Sequence, residues 1–176
     1  MQEMTAKRYQ TTRRYVRSGA AGMLGGFVGN GVLGILFSSD VLRSVLYDPT
    51  IQSALFLEVT PQRDIPLSVA GLVVLSAIHG WLYARFVTAI PGHGWCQKGA
   101  SWGAVIFAMF WLPQEWFVYH TLLGEPLLLN LLELTVLSIG SIGEGIVIAA
   151  CLRSELPRVR SGFLPPQSGQ NPRPSM

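Results

Sequence analysis

Charge is scarce in this sequence. Only 13% of its residues are Asp, Glu, Lys or Arg, about half the share of an ordinary soluble domain, so a solvated surface all round is excluded. Cysteine is nearly absent: Cys96 and Cys151 are the whole complement, and two thiols build no disulfide framework. Catalytic signatures are missing too. No GxSxG, HExxH, Walker loop or dinucleotide fingerprint stands in a fitting context, and neither cysteine has an obvious orienting base, so the reading leans away from an enzyme. No cofactor or metal is expected. His79 and His120 fall at different depths, which argues against a shared haem iron, and no CxxCH is present. His93, Cys96 and Cys151 form only a loose His-x-x-Cys plus one distant thiol, short of metal-ligand spacing.

What is abundant is apolar sequence, at 49% of the chain. Four windows, near 19–37, 66–89, 99–121 and 126–151, each reach the length of roughly 20 residues that a helix needs to cross the hydrocarbon. None has the broad polar face of a soluble helix. The expected fold is an all-α integral membrane protein: a basic arm (1–18), a four-helix transmembrane bundle (19–152) and a disordered Pro/Ser-rich tail (153–176). The long segment 38–65 between the first two windows is expected to hold two short interfacial helices, one capped by Asp40 and one opened by Asp48-Pro49.

Basic residues set the expected orientation. With the N-terminus inside, the inner segments carry eleven Lys or Arg and the outer ones only Arg43 and Arg63. Both termini are therefore expected in the cytoplasm, with the chain in a bacterial inner (plasma) membrane. The formal charge of +3 is a topology signal, so no nucleic-acid partner is implied, and the bilayer itself is the first expected partner.

The first window holds seven glycines and a ladder at four-residue steps through Gly22, Gly26, Asn30 and Gly34. In water this composition would weaken a helix. In a bilayer it lets a second backbone come close, which is how helices associate without a hydrophobic driving force between them. Such a seam serves packing within the chain, a homo-oligomer or a larger membrane complex. The leading expectation is a non-enzymatic accessory or scaffold subunit docking through this face.

The rival expectation starts from WLPQEWFVYH, residues 111–120, where Pro113, Gln114 and Glu115 interrupt an apolar run. An acid inside a membrane span needs a partner or a purpose. Counted from their outer ends, Glu115 in the third window and Glu133 in the fourth lie roughly 10 Å deep at 1.5 Å per residue. They are predicted to form a pair that shares a proton or holds a cation, since two bare carboxylates do not coexist in low dielectric. Asn130, Glu133, Leu137, Ser141 and Glu144 fall on one face of the fourth helix. Ser101, Ala104, Ala108 and Glu115 are predicted to share a face of the third helix, and Ser68, Ser76 and His79 a face of the second. Arg85 matches Glu144 in depth, which suggests an inner ion pair. Together Gln114, Asn130, Ser141, Glu144, His79 and Arg85 would support a small proton- or cation-coupled carrier.

Overall fold

The computed structural model describes residues 2–58 and 64–155, with the side chains of 2–10 and of residue 155 left aside. Nearly all of the tail, from residue 156 on, and the arginine at position 63 lie outside these described residues. The chain is all-helical, with no strand among the described residues. In order it forms α1 (Gln2–Phe37), α2 (Asp40–Leu46), α3 (Ala54–Glu58), α4 (Ile65–Phe86), α5 (Trp95–Ile106), two π-helical stretches (Phe107–Trp111 and Gln114–Leu122) and α6 (Leu127–Cys151). Three helical segments, Thr11–Phe37, Ile65–Phe86 and Leu127–Cys151, are long and apolar enough to cross a membrane.

The basic arm and the first apolar window share one helix, α1. Its arginines are put to structural use. Arg14 donates to the carbonyl of Ala84 at 3.1 Å and Arg17 to that of Cys151 at 2.9 Å, so α1 caps the C-terminal ends of both α4 and α6. Those ends carry carbonyls without helical partners and the negative pole of the helix dipole, where a guanidinium is favoured. Lys98 does the same for the chain leaving α4, donating to Val87 O and Ile90 O (2.8 Å for the latter). Arg17→Ala is expected to lower stability by about 1 kcal/mol, the net worth of one such bond. Arg13→Ala, on the exposed surface, is expected to stay within about 0.5 kcal/mol. Thermal melts of the two purified variants in detergent would check the difference.

Glycine decides how the long helices meet. A Cβ on Gly22 would overlap the carbonyl of Ser76 and sit 2.8 Å from Gly80 N, and one on Gly80 would strike Ser18 O and come within 2.7 Å of Gly22 N. α1 and α4 thus touch backbone to backbone. On its other side α1 meets α6, where Gly25 faces Glu144 O and Ile148, and Gly29 faces Gly140 O and Glu144. α5 crosses α6 in the same manner, Gly99 and Gly103 lying on Gly145, Ile142 and Ile146. Around the resulting row α4, α1, α6, α5, a core of Ala21, Tyr83, Ala84, Val87, Trp102, Ile106, Ile148, Ala149 and Leu152 gathers at the end that holds the arginines. Tyr83 and Trp102 meet edge to face there, 6.1 Å between centroids, joining α4 to α5. Toward the opposite end α4 stands away from α5 and α6, with Ile65, Leu67, Val69, Val73 and Val74 exposed.

The segment after α1 departs from its expected caps. Ser39, one residue before Asp40, caps α2 by accepting from Leu42 N. Asp40 sits in the first turn, where its charge still favours the dipole. Asp48-Pro49 does not open a helix. Asp48 accepts from the Thr50 N–H at 2.8 Å and the Thr50 hydroxyl at 2.7 Å, a local turn that competes with helix formation. These bonds hold its carboxyl below the usual aspartate range. The second short helix starts only at Ala54.

Candidate cation site

The third apolar window does not keep one helical step. Beyond Ile106 the bonds lengthen from four residues to five, with Leu112 N–H reaching Phe107 O and Leu123 N–H reaching Val118 O. Pro113 supplies a local cause, having no N–H to give and a ring that crowds the carbonyl four residues before it. Wider turns of this kind re-aim side chains and recur at functional sites. The predicted face on this helix is overturned, in α5 by the close approach of its glycines to α6 and beyond Ile106 by the change of step. Ala104 and Ala108 are exposed, while Gly99, Trp102, Gly103 and Ile106 are buried against α6. Glu115 nevertheless turns inward, at 3% exposure.

It meets two further acids there. One carboxylate oxygen from each of Glu115, Glu125 and Glu133 lies within 4.8 Å of the others. Glu133 is the partner expected from depth, whereas Glu125 comes from the turn Gly124-Glu125-Pro126 just before α6, which no helical spacing marks. Glu125 is in fact 1% exposed. Gln52 donates to its Oε1 at 3.0 Å and Asn130 to its Oε2 at 3.4 Å, while its backbone carbonyl accepts from His120 Nδ1 at 2.7 Å. Its place just before α6 adds the favourable pole of that helix. Gln52 also donates to Leu46 O, so the connection between α2 and α3 is tied directly to the acid.

Asn130 binds the cluster together. It is 0% exposed, and its amide nitrogen donates to the Glu115 carbonyl at 2.9 Å as well as to Glu125. Ser53 Oγ closes the rim on Leu123 O at 2.7 Å. Tyr47, Phe56 and Tyr119 form a chain of rings over it, at 6.1 and 5.9 Å. α2, α3 and the turn before α6 therefore cover the three acids from the loop end.

The chemistry of the site lies in what it lacks. Both polar side-chain atoms left without a partner here, Glu115 Oε2 and Asn130 Oδ1, are acceptors. Three carboxylates and an amide oxygen face inward, and the two amide N–H groups that reach the cluster side chains both go to Glu125. Such an excess of acceptors is met by protons or by a hard cation, since a buried polar group without its counterpart is costly. Oxygen-only ligands suit Mg²⁺, Ca²⁺ or Mn²⁺ better than softer metals.

The other expected residues fall elsewhere. His79 Nδ1 and Glu144 Oε1 lie 2.8 Å apart, both largely buried, between α4 and α6. The expected Arg85–Glu144 pair is not among the ion pairs of the described residues; Arg85 is exposed and lies around α4 from His79. Ser141 is buried and bonds back to Leu137 O, which satisfies it within its own helix. Gln114 is half-buried and makes no side-chain hydrogen bond to the three acids. In the glycine ladder, Gly22 and Gly26 are occupied by α4, Asn30 donates to Gly26 O within α1, and Gly34 has open space around it. Gly34 therefore makes no close helix contact among the described residues.

Glu125 and Gln52 are the residues that sequence reasoning missed. An acid beside a glycine and a proline reads as a solvated turn, and no periodicity marks a glutamine 73 positions away. No family model, curated protein or solved structure matches the chain.

Proposed function

We propose that this chain is a small four-span membrane protein with both termini cytoplasmic, and that it takes up a cation, a proton or a hard metal ion, at Glu115, Glu125 and Glu133. The fourth span is the path from Trp95 to Leu122, helical throughout but of changing step. The orientation rests on the eleven-to-two division of basic residues. The observation that carries the function is the meeting of three acids within 4.8 Å, covered from solvent and short of donors. Ionisable side chains that face the interior of a membrane bundle mark ion pathways, and this cluster is buried and ionisable.

The accessory-subunit reading drew on the glycine ladder as a docking seam. With Gly22 and Gly26 used by α4, that reading loses its main support, and the acid cluster becomes the stronger guide. His79 and Glu144 supply a second ionisable pair eleven residues along α6 from Glu133, roughly 16 Å away at the helical rise, in line with a coupled path.

The test is ion binding by full-length protein in detergent, followed by flux in proteoliposomes under a pH or cation gradient. Glu133→Gln and Glu125→Gln are each expected to weaken binding or uptake at least about tenfold, equivalent to about 1.4 kcal/mol. Uptake that persists unchanged in both variants, with their folds intact, would remove the proposal.

A further inference from the structure

Three carboxylate oxygens within 4.8 Å of one another enclose a point no more than roughly 2.8 Å from each, so a small inward shift brings all three to the distance of about 2.3–2.6 Å of a calcium–oxygen bond. A single proton has a different geometry. It joins two oxygens and leaves the third outside. A second observation comes from Asn130, which is not an acid. Its side chain is aimed at the cluster, with Nδ2 at 3.4 Å from Glu125 Oε2 and 2.9 Å from the Glu115 carbonyl. Oδ1 is the other arm of the same planar amide, on a residue that is 0% exposed, and it has no partner. Glu115 Oε2 has none either. Nor are the oxygens of Glu125 used up: Gln52 and Asn130 supply one N–H to each, and a carboxylate oxygen accepts at two positions.

Charge and water narrow the choice of ion. No lysine or arginine among the described residues forms an ion pair with Glu115, Glu125 or Glu133, so with all three ionised the ion itself must supply the positive charge. A monovalent ion leaves two negative charges beside it. A divalent ion leaves one, which the pole of α6 and the two amide donors on Glu125 help to hold. Glu115, Glu125 and Asn130 are all buried beneath α2 and α3, which favours an ion that gives up its water. Mg²⁺ dehydrates reluctantly and demands a near-ideal octahedron, whereas Ca²⁺ accepts carboxylates and amide carbonyls in a flexible shell.

We propose that the cation taken up at Glu115, Glu125 and Glu133 is a largely dehydrated divalent ion of calcium's size, and that Asn130 Oδ1 is a further ligand to it. This inference rests on the reading of the three acids as a cation site, and adds to it the class of ion and a neutral ligand. Gln52 holds Glu125 in place through Oε1, leaving the second lone pairs of that carboxylate to the ion.

Full-length protein in detergent, stripped of metal with a chelator, is dialysed to equilibrium against radioactive calcium. Wild type is expected to bind a single Ca²⁺ per chain, with Mg²⁺ and Na⁺ each at least about tenfold weaker as competitors. Asn130→Asp and Asn130→Leu both lose the amide N–H groups, and only the first keeps an oxygen at the ligand position. Asn130→Leu is therefore expected to bind Ca²⁺ at least about tenfold more weakly than Asn130→Asp. Melting curves recorded without calcium establish that both variants are folded, and the competition series on wild type decides the class of ion without them. Competition by Mg²⁺ or Na⁺ equal to that by Ca²⁺ overturns the assignment of the ion, and equal binding by the two folded variants overturns Asn130 as a ligand. Absence of calcium binding, with proton flux that still depends on Glu133, overturns this inference and leaves the broader cation reading standing. Absence of both removes the two together.

Discussion

Gly80→Leu is expected to separate α4 from the rest of the protein and to cost more than about 4 kcal/mol, enough to prevent a stable fold. The first atom added, Cβ, already collides with Ser18 O and lies 2.7 Å from Gly22 N and 2.8 Å from Gly22 Cα. These are backbone atoms of a facing helix, which cannot move aside as a side chain would. Gly22→Leu meets the same obstacle from the other side, at Ser76 and Gly80. A comparison within α1 makes the test specific. Gly34 has nothing within 4 Å of its Cβ position, so Gly34→Leu is expected to be neutral or mildly stabilising, because leucine favours a helix by up to about 1 kcal/mol over glycine. Thermal melts and yields of folded protein in detergent would separate the three variants. A folded Gly80→Leu protein with wild-type melting would mean that the α1–α4 contact is not as close as described. The same series addresses the docking idea, since loss of a partner with the fold retained would be the mark of an external seam.

Removing His79 is the second large effect. Its Nδ1 lies 2.8 Å from Glu144 Oε1, with side-chain exposures of 13% and 7%, and Gly26 and Gly29 press against the same acid. His79→Ala leaves Glu144 without that partner in a site with little water, and breaking a buried pair of this kind costs about 3 kcal/mol. Glu144→Leu together with His79→Ala is expected to recover most of the loss, because a buried pair replaced as a unit by apolar groups is often close to neutral. The double-mutant cycle isolates the interaction from the loss of each side chain's packing. If His79→Ala melts within about 0.5 kcal/mol of wild type, the pair makes no measurable contribution and the coupled-path idea loses its inner member. If the double variant is stable yet uptake fails, the pair serves transport more than folding.

The two sites show where reading by periodicity succeeds and where it stops. On α6 the helical step is regular from end to end, and Asn130, Leu137, Ser141 and Glu144 are all buried on one face. Depth counting paired Glu115 with Glu133 for a similar reason: rise per residue is nearly constant, so two helices of known ends can be compared like rulers. Rotation is not so constant. Within the regular turns of α5, close contact with α6 took Gly99 and Gly103 inside and left Ala104 outside, and beyond Ile106 the five-residue bonds changed the step, so that Ala108 ended outside while Glu115 turned inward. Arg85 and Glu144 matched in depth for the same reason and missed in angle, leaving the acid to His79.

Amino-acid order by itself determined the apolar segments, their approximate ends and the presence of acids where lipid gives them no solvation. Those properties are local, fixed by composition and by the spacing of the helix. Only the tertiary structure decided what each polar group meets. It sent Arg14 and Arg17 to the carbonyl ends of neighbouring helices, spent Gly22 and Gly26 inside the chain, and brought Gln52 and Glu125 across 73 positions to complete the acid cluster. A side chain's partner depends on which helices are adjacent and how they are rotated. Those are properties of the whole packing arrangement, and no window of sequence contains them.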